Sequence, residues 1–244
     1  MQHLLRSKII TGIAILIFPL VSFSQYRELN QPDHDDKKLR FGINLGSNRS
    51  HFSFTHHPSF LQQAPFDSIT VVESINSTGI NLAWLVNLRL GEHFDLRTTP
   101  VNLTFTEKNF QYNLPYPDGA AGETPITEKK VQSISLSIPA HIRFSSDRIN
   151  NIKVYMLGGG YVAYDMASNA GAKNAEDKIK LKKFDYGVET GLGFHFYFPM
   201  FVLTPEVKMS WGIGNLHSRD ENLKFSRVID KINSRTIAFS LTVE

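Results

Sequence analysis

The chain has 244 residues, 41% of them hydrophobic, with 26 lysines and arginines against 23 acidic residues and no cysteine. This composition excludes disulfides, thiolate metal sites and cysteine nucleophiles, and it fits a folded chain of one or two domains. Arg6 and Lys8 lie in an acid-free N-terminal stretch, and without them the basic and acidic counts differ by one, so no nucleic-acid partner is expected.

Met1 to Lys8 is short and basic, Ile9 to Val21 is apolar, and Ser22-Phe23-Ser24 supplies small residues before Gln25. This pattern predicts a cleaved signal peptide over residues 1–24, because the apolar run falls short of the roughly 20 residues a membrane helix needs. No later stretch reaches that length, so an exported chain that enters a membrane must cross it with strands. Residues 25–38 are polar and aperiodic and read as a flexible periplasmic tail, with His34, Asp35 and Asp36 as a solvated acidic cluster rather than a metal site.

From Leu39 the pattern has a period of two. Leu39, Phe41, Ile43 and Leu45 share one phase against Arg40, Gly42, Asn44 and Gly46. Ile80, Leu82, Trp84, Val86, Leu88 and Leu90 follow in the same manner, then a tight turn at Gly91-Glu92-His93. The next strand runs from Phe94 to Phe105 with a phase slip at Thr99-Pro100, where a bulge would spare the proline from donating to the ladder. Further strands are predicted from Ser133 to Phe144, around Gly158-Gly159-Gly160 between Ile152 and Tyr164, from Phe184 to Phe198, from Phe201 to Trp211 and from Ser234 to Val243.

Connections alternate between short turns and loops of about 15 to 25 residues, the asymmetry of a membrane barrel with periplasmic turns and extracellular loops. The apolar phase carries both tryptophans and most phenylalanines, whereas the other phase is small or charged. Bulk outside and small residues inside oppose a lipocalin-like cavity. The predicted fold is therefore an all-β, eight-stranded, antiparallel up-and-down transmembrane barrel over residues 39–244, facing outer-membrane lipid.

The inward phase gathers Arg40, Arg89, Arg97, Arg143 and Lys208 with Asp95, Glu189 and Glu206. An arginine facing lipid at mid-membrane would cost roughly 2–4 kcal/mol, which forces these ions inward. There they form a packed polar core or line a conducting lumen; an eight-stranded interior is narrow enough for side chains to fill. No hydrolase, metalloprotease or phosphate-loop motif is present. His56, His57, Asp67 and Ser68 in the first long loop are the only rim groups suited to catalysis, and nothing in the sequence holds them together, so the chain reads as a non-enzyme without cofactor or small-molecule substrate. In the last loop, Ser218-Arg219-Asp220-Glu221 has capping-box spacing, and Phe225, Val228, Ile229 and Ile232 follow at helical intervals. That pattern predicts an amphipathic helix that either lies over the barrel mouth or docks a partner protein.

The segments LRFGINLGSN, LRTTPVNLTF, SLSIPAHIRF, VYMLGGGYVAYD, FDYGVETGLGFHFYF, LTPEVKMSWGIGN and IDKINSRTIAFSLTVE, in this order, resemble the PorT (SprT) outer-membrane proteins of Bacteroidetes. The resemblance runs from about Leu39 to Glu244. It implies a non-enzymatic component of the type IX secretion machinery, which exports proteins bearing a C-terminal sorting domain and supports gliding in some species. It also implies other secretion components as protein partners, and no catalytic residue carries over. A stand-alone structural barrel or a passive small-solute channel is the other reading.

Overall fold

In the computed structural model, which describes residues 28–58, 60, 69–117, 119, 124–167, 181–218, 226 and 228–244, nearly all of the described chain is antiparallel strand. The predicted signal peptide lies outside the described residues. The strands are β1 (Leu39–His56), β2 (Val71–Ile75), β3 (Ser77–Arg89), β4 (Phe94–Asn113), β5 (Ile126–Ser145), β6 (Ile152–Asp165), β7 (Phe184–Tyr197), β8 (Val202–Gly212) and β9 (Ile229–Val243). β1 pairs with both β3 and β9, and each strand from β3 to β9 pairs with the next, so the ring closes. β2 prolongs β3 beyond a break at Asn76 and pairs with the far end of β4. Taken as one barrel strand, β2 and β3 complete an eight-stranded, closed, up-and-down ring.

Alternation builds this ring because successive side chains of a strand point to opposite faces. Phe41, Ile43, Trp84, Phe105, Ile138, Met156, Phe194 and Phe239 are all exposed on the outside, while Arg40, Asp95, Arg97, Arg143, Glu189 and Glu206 are buried inside. A continuous apolar exterior of this extent belongs in hydrocarbon. The predicted bulge is present: Trp84 pairs with Val101 and Val86 with Thr98, so Leu85 alone faces Thr99 and Pro100. At Gly159 a β-carbon would lie 2.0 Å from the carbonyl oxygen of Ala140, so only glycine allows β6 to approach β5 at this register.

Tight turns at residues 90–93, 146–151 and 198–201 occupy one end, and the strand ends that lead into the connections over 57–70, 114–125, 166–183 and 213–228 lie at the other. The strands beneath those connections are longer than the sequence pattern predicted. β1 continues to His56, β4 to Asn113, and β5 begins at Ile126. The reason is an inversion of polarity along single strands. In β4 the outward side chains change from Val101, Leu103 and Phe105 to Glu107, Asn109 and Gln111, while the inward ones change from Asn102 and Thr104 to Phe110 and Tyr112. Phe52 in β1 and Ile232 in β9 take the same inward turn toward apolar burial. The strands leave lipid and enter water, where an ordinary sheet keeps its apolar face inside.

Candidate functional site

Among the described residues, the lumen is where the fold concentrates ionisable side chains, and it is filled from the turn end upward. The segment before β1 does not behave as a flexible tail. Pro32–His34 forms one 3₁₀ turn, His34 is buried, and the Asp35 carboxylate sits inside the mouth. Asp35 accepts from the Tyr197 hydroxyl at 2.8 and 2.9 Å and from Lys153 at 3.4 Å and Arg40 at 3.3 Å. Arg148 lies 3.7 Å over the Tyr197 ring and donates to the backbone oxygens of Asn30 and Gln31. Asn30 and Gln31 in turn donate to the carbonyls of Tyr197 and Phe198. The aperiodic segment is held by side-chain bonds to the barrel wall, which leave no hydrophobic pattern to read. Only Asp36 keeps the solvated character predicted for the acidic cluster, with its side chain 73% exposed.

Burial alone would raise the Asp35 carboxyl, but His34, Lys153, Tyr197 and Arg40 together hold it well below the usual carboxylate range. A carboxyl lowered by docking stabilises the docked state at pH values above its free pKa of about 3.9, and that stabilisation is lost as pH falls below it. The plug should therefore stay seated at neutral pH and release in acid, and Asp35→Asn should release it at neutral pH. Amide hydrogen exchange over residues 34–37, where the His34 amide donates to the Gln31 carbonyl and the Lys37 amide to the His34 carbonyl, provides the measurement: its rate should rise in both cases. An unchanged rate in Asp35→Asn would show that Asp35 does not hold the segment.

Above the plug lies an arginine layer. Arg40 and Arg143 converge on Asp95, at 2.8 Å and at 2.5 and 2.9 Å. Arg97 binds Glu206 at 2.6 Å and accepts support from Asn87, whose side-chain oxygen it meets at 2.8 Å. Tyr155 stands between the guanidiniums of Arg97 and Arg143, each 5.1 Å from its ring centre, and donates its hydroxyl to Glu206. The ring fits because Gly193 faces it; a β-carbon there would lie 2.3 Å from the ring. His195 accepts from Arg143 at 3.1 Å and donates through Nδ1 to Thr204 at 2.7 Å. The side chain of Glu244 is buried in the same layer, where Asn87 donates to it at 2.9 Å. One layer higher, Glu189 holds His141 at 2.7 Å, Ser210 at 2.7 Å and Lys208 at 3.2 Å.

Seven of the eight ions predicted to face inward are thus paired inside the lumen, five in the arginine layer and Glu189 and Lys208 in the layer above it. Arg89 does not join them. At the end of β3 its side chain reaches the exposed Asp36 at 2.6 Å and marks the rim of the turn end. His141, Lys153, Tyr155 and His195 belong to the network and were not singled out from the sequence, although their place on the inward phase is a signal that could have found them. Asp35 had no such signal.

The upper half of the lumen holds a cavity of about 130 Å³ lined by serines, threonines and asparagines together with charged residues, among them Lys108, Asp165, Asp185 and Lys208. Beyond it, Phe52, Ile69, Val72, Phe110, Tyr112, Leu114, Leu181 and Leu216 pack with Val228, Ile229 and Ile232 into an apolar cap. In the last loop Ser226 is helical, and most of the helix expected there lies outside the described residues. Ile229 and Ile232 belong to strand β9, and Val228, Ile229 and Ile232 are fully buried, so they offer no face to a partner. Phe225 and the capping-box residues from Arg219 onward lie outside the described residues. Helical spacing at i and i+3 cannot distinguish a helix from a turn entering a strand when the run is this short. Of the rim candidates, His56 is exposed at the end of β1 and stacks on Phe60 at 4.4 Å, the His57 amide donates to the Val228 carbonyl at 3.0 Å, and Asp67 and Ser68 lie outside the described residues.

A closed eight-stranded ring with an apolar exterior, a filled ionic lumen and turns and loops segregated to opposite ends defines an outer-membrane β-barrel. Residues 23–218 match the family described as outer membrane protein beta-barrel domain, and the chain belongs to that family. Among solved structures it is similar to Neisserial surface protein A, at 12% identity and a TM-score of 0.44, covering 85% of this chain and 99% of that one. OprG from Pseudomonas aeruginosa gives 13% identity and a TM-score of 0.41, with 83% and 94% covered. The attachment invasion locus protein of Yersinia pestis gives 13% identity and a TM-score of 0.38, with 85% and 99% covered. A comparison with curated proteins found no match.

Proposed function

We propose that this barrel is a non-enzymatic component of the type IX secretion machinery, exported by a cleaved signal peptide and acting through contacts with other components, with a part in gliding motility where that machinery drives it. The sealed lumen is the observation that carries the mechanical half of this reading. A barrel plugged by Asp35 and its partners, crossed by the Arg40–Asp95–Arg143 and Arg97–Glu206 pairs and capped by an apolar cluster offers no path for cargo. A closed barrel serves a membrane machine as an anchored scaffold. The secretion half of the reading rests on the ordered segments that resemble PorT.

Each half has its own test. In planar bilayers the purified protein should give no steady conductance, whereas a passive small-solute channel would give one. In a Bacteroidetes host, deleting the gene should leave sorting-domain cargo inside the cell while outer-membrane integrity is kept. Normal surface delivery after deletion would reject the secretion role and leave a stand-alone structural barrel.

A further inference from the structure

The mouth at the turn end is built to recognise main chain and one carboxylate, which sealing a lumen does not require. We infer that it is a receptor for an extended, carboxylate-bearing peptide segment, which residues 28–36 occupy in cis and which an acidic segment of a partner protein can take over. The turn end of a barrel of this class faces the periplasm, so the partner is periplasmic.

The cis segment shows what the receptor reads. Asn151 treats it as one strand treats another: its amide nitrogen donates to the Glu28 carbonyl at 3.1 Å, and its oxygen accepts from the Asn30 amide at 2.9 Å. Arg148 donates to the carbonyls of Asn30 and Gln31. These bonds engage main chain only, so they hold an extended segment whatever its side chains. One side chain is selected. After the chain turns at Gln31, which has a φ of 50°, the Asp35 carboxylate meets the Tyr197 hydroxyl at 2.8 Å, Arg40 at 3.3 Å and Lys153 at 3.4 Å.

The receptor is organised without the segment. Arg148 is fixed by the Asn150 carbonyl at 2.9 Å, by the Asn151 side-chain oxygen at 2.8 Å and by the Tyr197 ring beneath it. Arg40 is anchored by Asp95 at 2.8 Å. Among the described residues, the Lys153 ammonium and the Tyr197 hydroxyl have no hydrogen-bond partner except Asp35. Withdrawal of the segment therefore leaves a preformed pocket whose cations and hydroxyl lack a carboxylate, and charge complementarity makes the occupant acidic.

The segment is seated so that it can be displaced. Leu29 is 54% exposed and Pro32 is exposed, so apart from His34 it carries no apolar anchor. Hydrogen bonds exchanged against water contribute little each. A short tether, here Lys37 and Lys38, supplies an effective concentration on the order of millimolar. A competing segment is weakened in proportion to the fraction of mouths that are occupied in cis.

This receptor gives the scaffold a contact to other components, and in that respect it rests on the scaffold reading. Peptide binding to the purified barrel is scored apart from cargo delivery in cells, so the two can fail separately. The test uses the full mature chain folded in detergent and a fluorescent peptide with the sequence of residues 28–38, followed by anisotropy. Asp35→Asn in the chain, alone and combined with Asn30→Ala and Gln31→Ala, vacates the mouth and should tighten peptide binding roughly tenfold or more over the native chain. A peptide with Asp35→Asn should bind the vacated chain roughly tenfold more weakly, and so should the native peptide after Arg148→Ala and Lys153→Ala are added to that chain. Retained heat-modifiable migration on gels shows that each barrel is folded. Three results would overturn the inference: no tighter binding in either vacated chain, equal affinity for peptides with and without the carboxylate, or displacement of the peptide by an equal concentration of acetate, which would reduce the mouth to a pocket for small anions.

Discussion

Replacing Asp95 with alanine should destabilise the folded barrel by about 3–5 kcal/mol, measured by urea unfolding in lipid vesicles. Asp95 is the shared partner of Arg40 and Arg143, and both arginine side chains are at most 5% exposed. Its removal strands Arg143 and leaves Arg40 with only the longer contact to Asp35 at 3.3 Å, in an interior from which water is largely excluded, and an uncompensated buried charge costs that much. The intact cluster need not be strongly stabilising: removing both arginines and Asp95 together, with methionine and leucine in their places, should recover most of the loss. A change below 1 kcal/mol in Asp95→Ala would mean that water reaches this layer and that the lumen is not sealed there.

Phe110→Ala should have an effect of similar size at the opposite end but with a local readout. Phe110 is fully buried, and its ring lies 5.7 Å from those of Phe52 and Phe54. Truncating a buried phenylalanine costs roughly 3–5 kcal/mol. The strand ends around it are thinly supported: β1 leaves β3 after Ser50 and pairs onward only with β9, and β2 pairs only with β4. One backbone amide, that of Phe52, bridges the gap by donating to the Ser74 hydroxyl at 3.0 Å. Hydrogen exchange should therefore accelerate in β2 and in β1 beyond Ser50, while heat-modifiable migration of the barrel is unchanged. If the whole barrel melts earlier, cap and barrel form one cooperative unit. The lipid-facing Phe105, 46% exposed, provides the contrast, since its truncation should leave the cap's exchange rates unchanged.

The same cap accounts for Val228, Ile229 and Ile232, for which the sequence left a lid over the mouth and a docking face open. Apolar residues near a loop announce burial, and the sequence does not say whether the burying surface is a partner or the chain's own strands. Here it is Phe52, Phe110 and Tyr112, side chains distant in sequence that the ring brings overhead.

Much of the ring was legible because lipid imposes a rule that each strand obeys alone. A side chain pointing outward at mid-membrane must be apolar, so Phe41, Trp84, Phe194 and Phe239 report their orientation without knowledge of any neighbour. The inward position of Arg97, Arg143 and Glu206 follows from the same rule, as does the bulge at Thr99-Pro100, which appears as a slip in the phase. What each inward ion touches depends on strand tilt and register around a closed ring, which no single strand encodes. The pairing of Asp95 with two arginines, the placing of Tyr155 against Gly193, and the chamber left between arginine layer and cap are therefore tertiary decisions. So are the seating of Asp35 in the mouth and the inversion of polarity above the membrane. The first depends on hydrogen bonds from groups more than a hundred residues away, and the second on where the lipid ends.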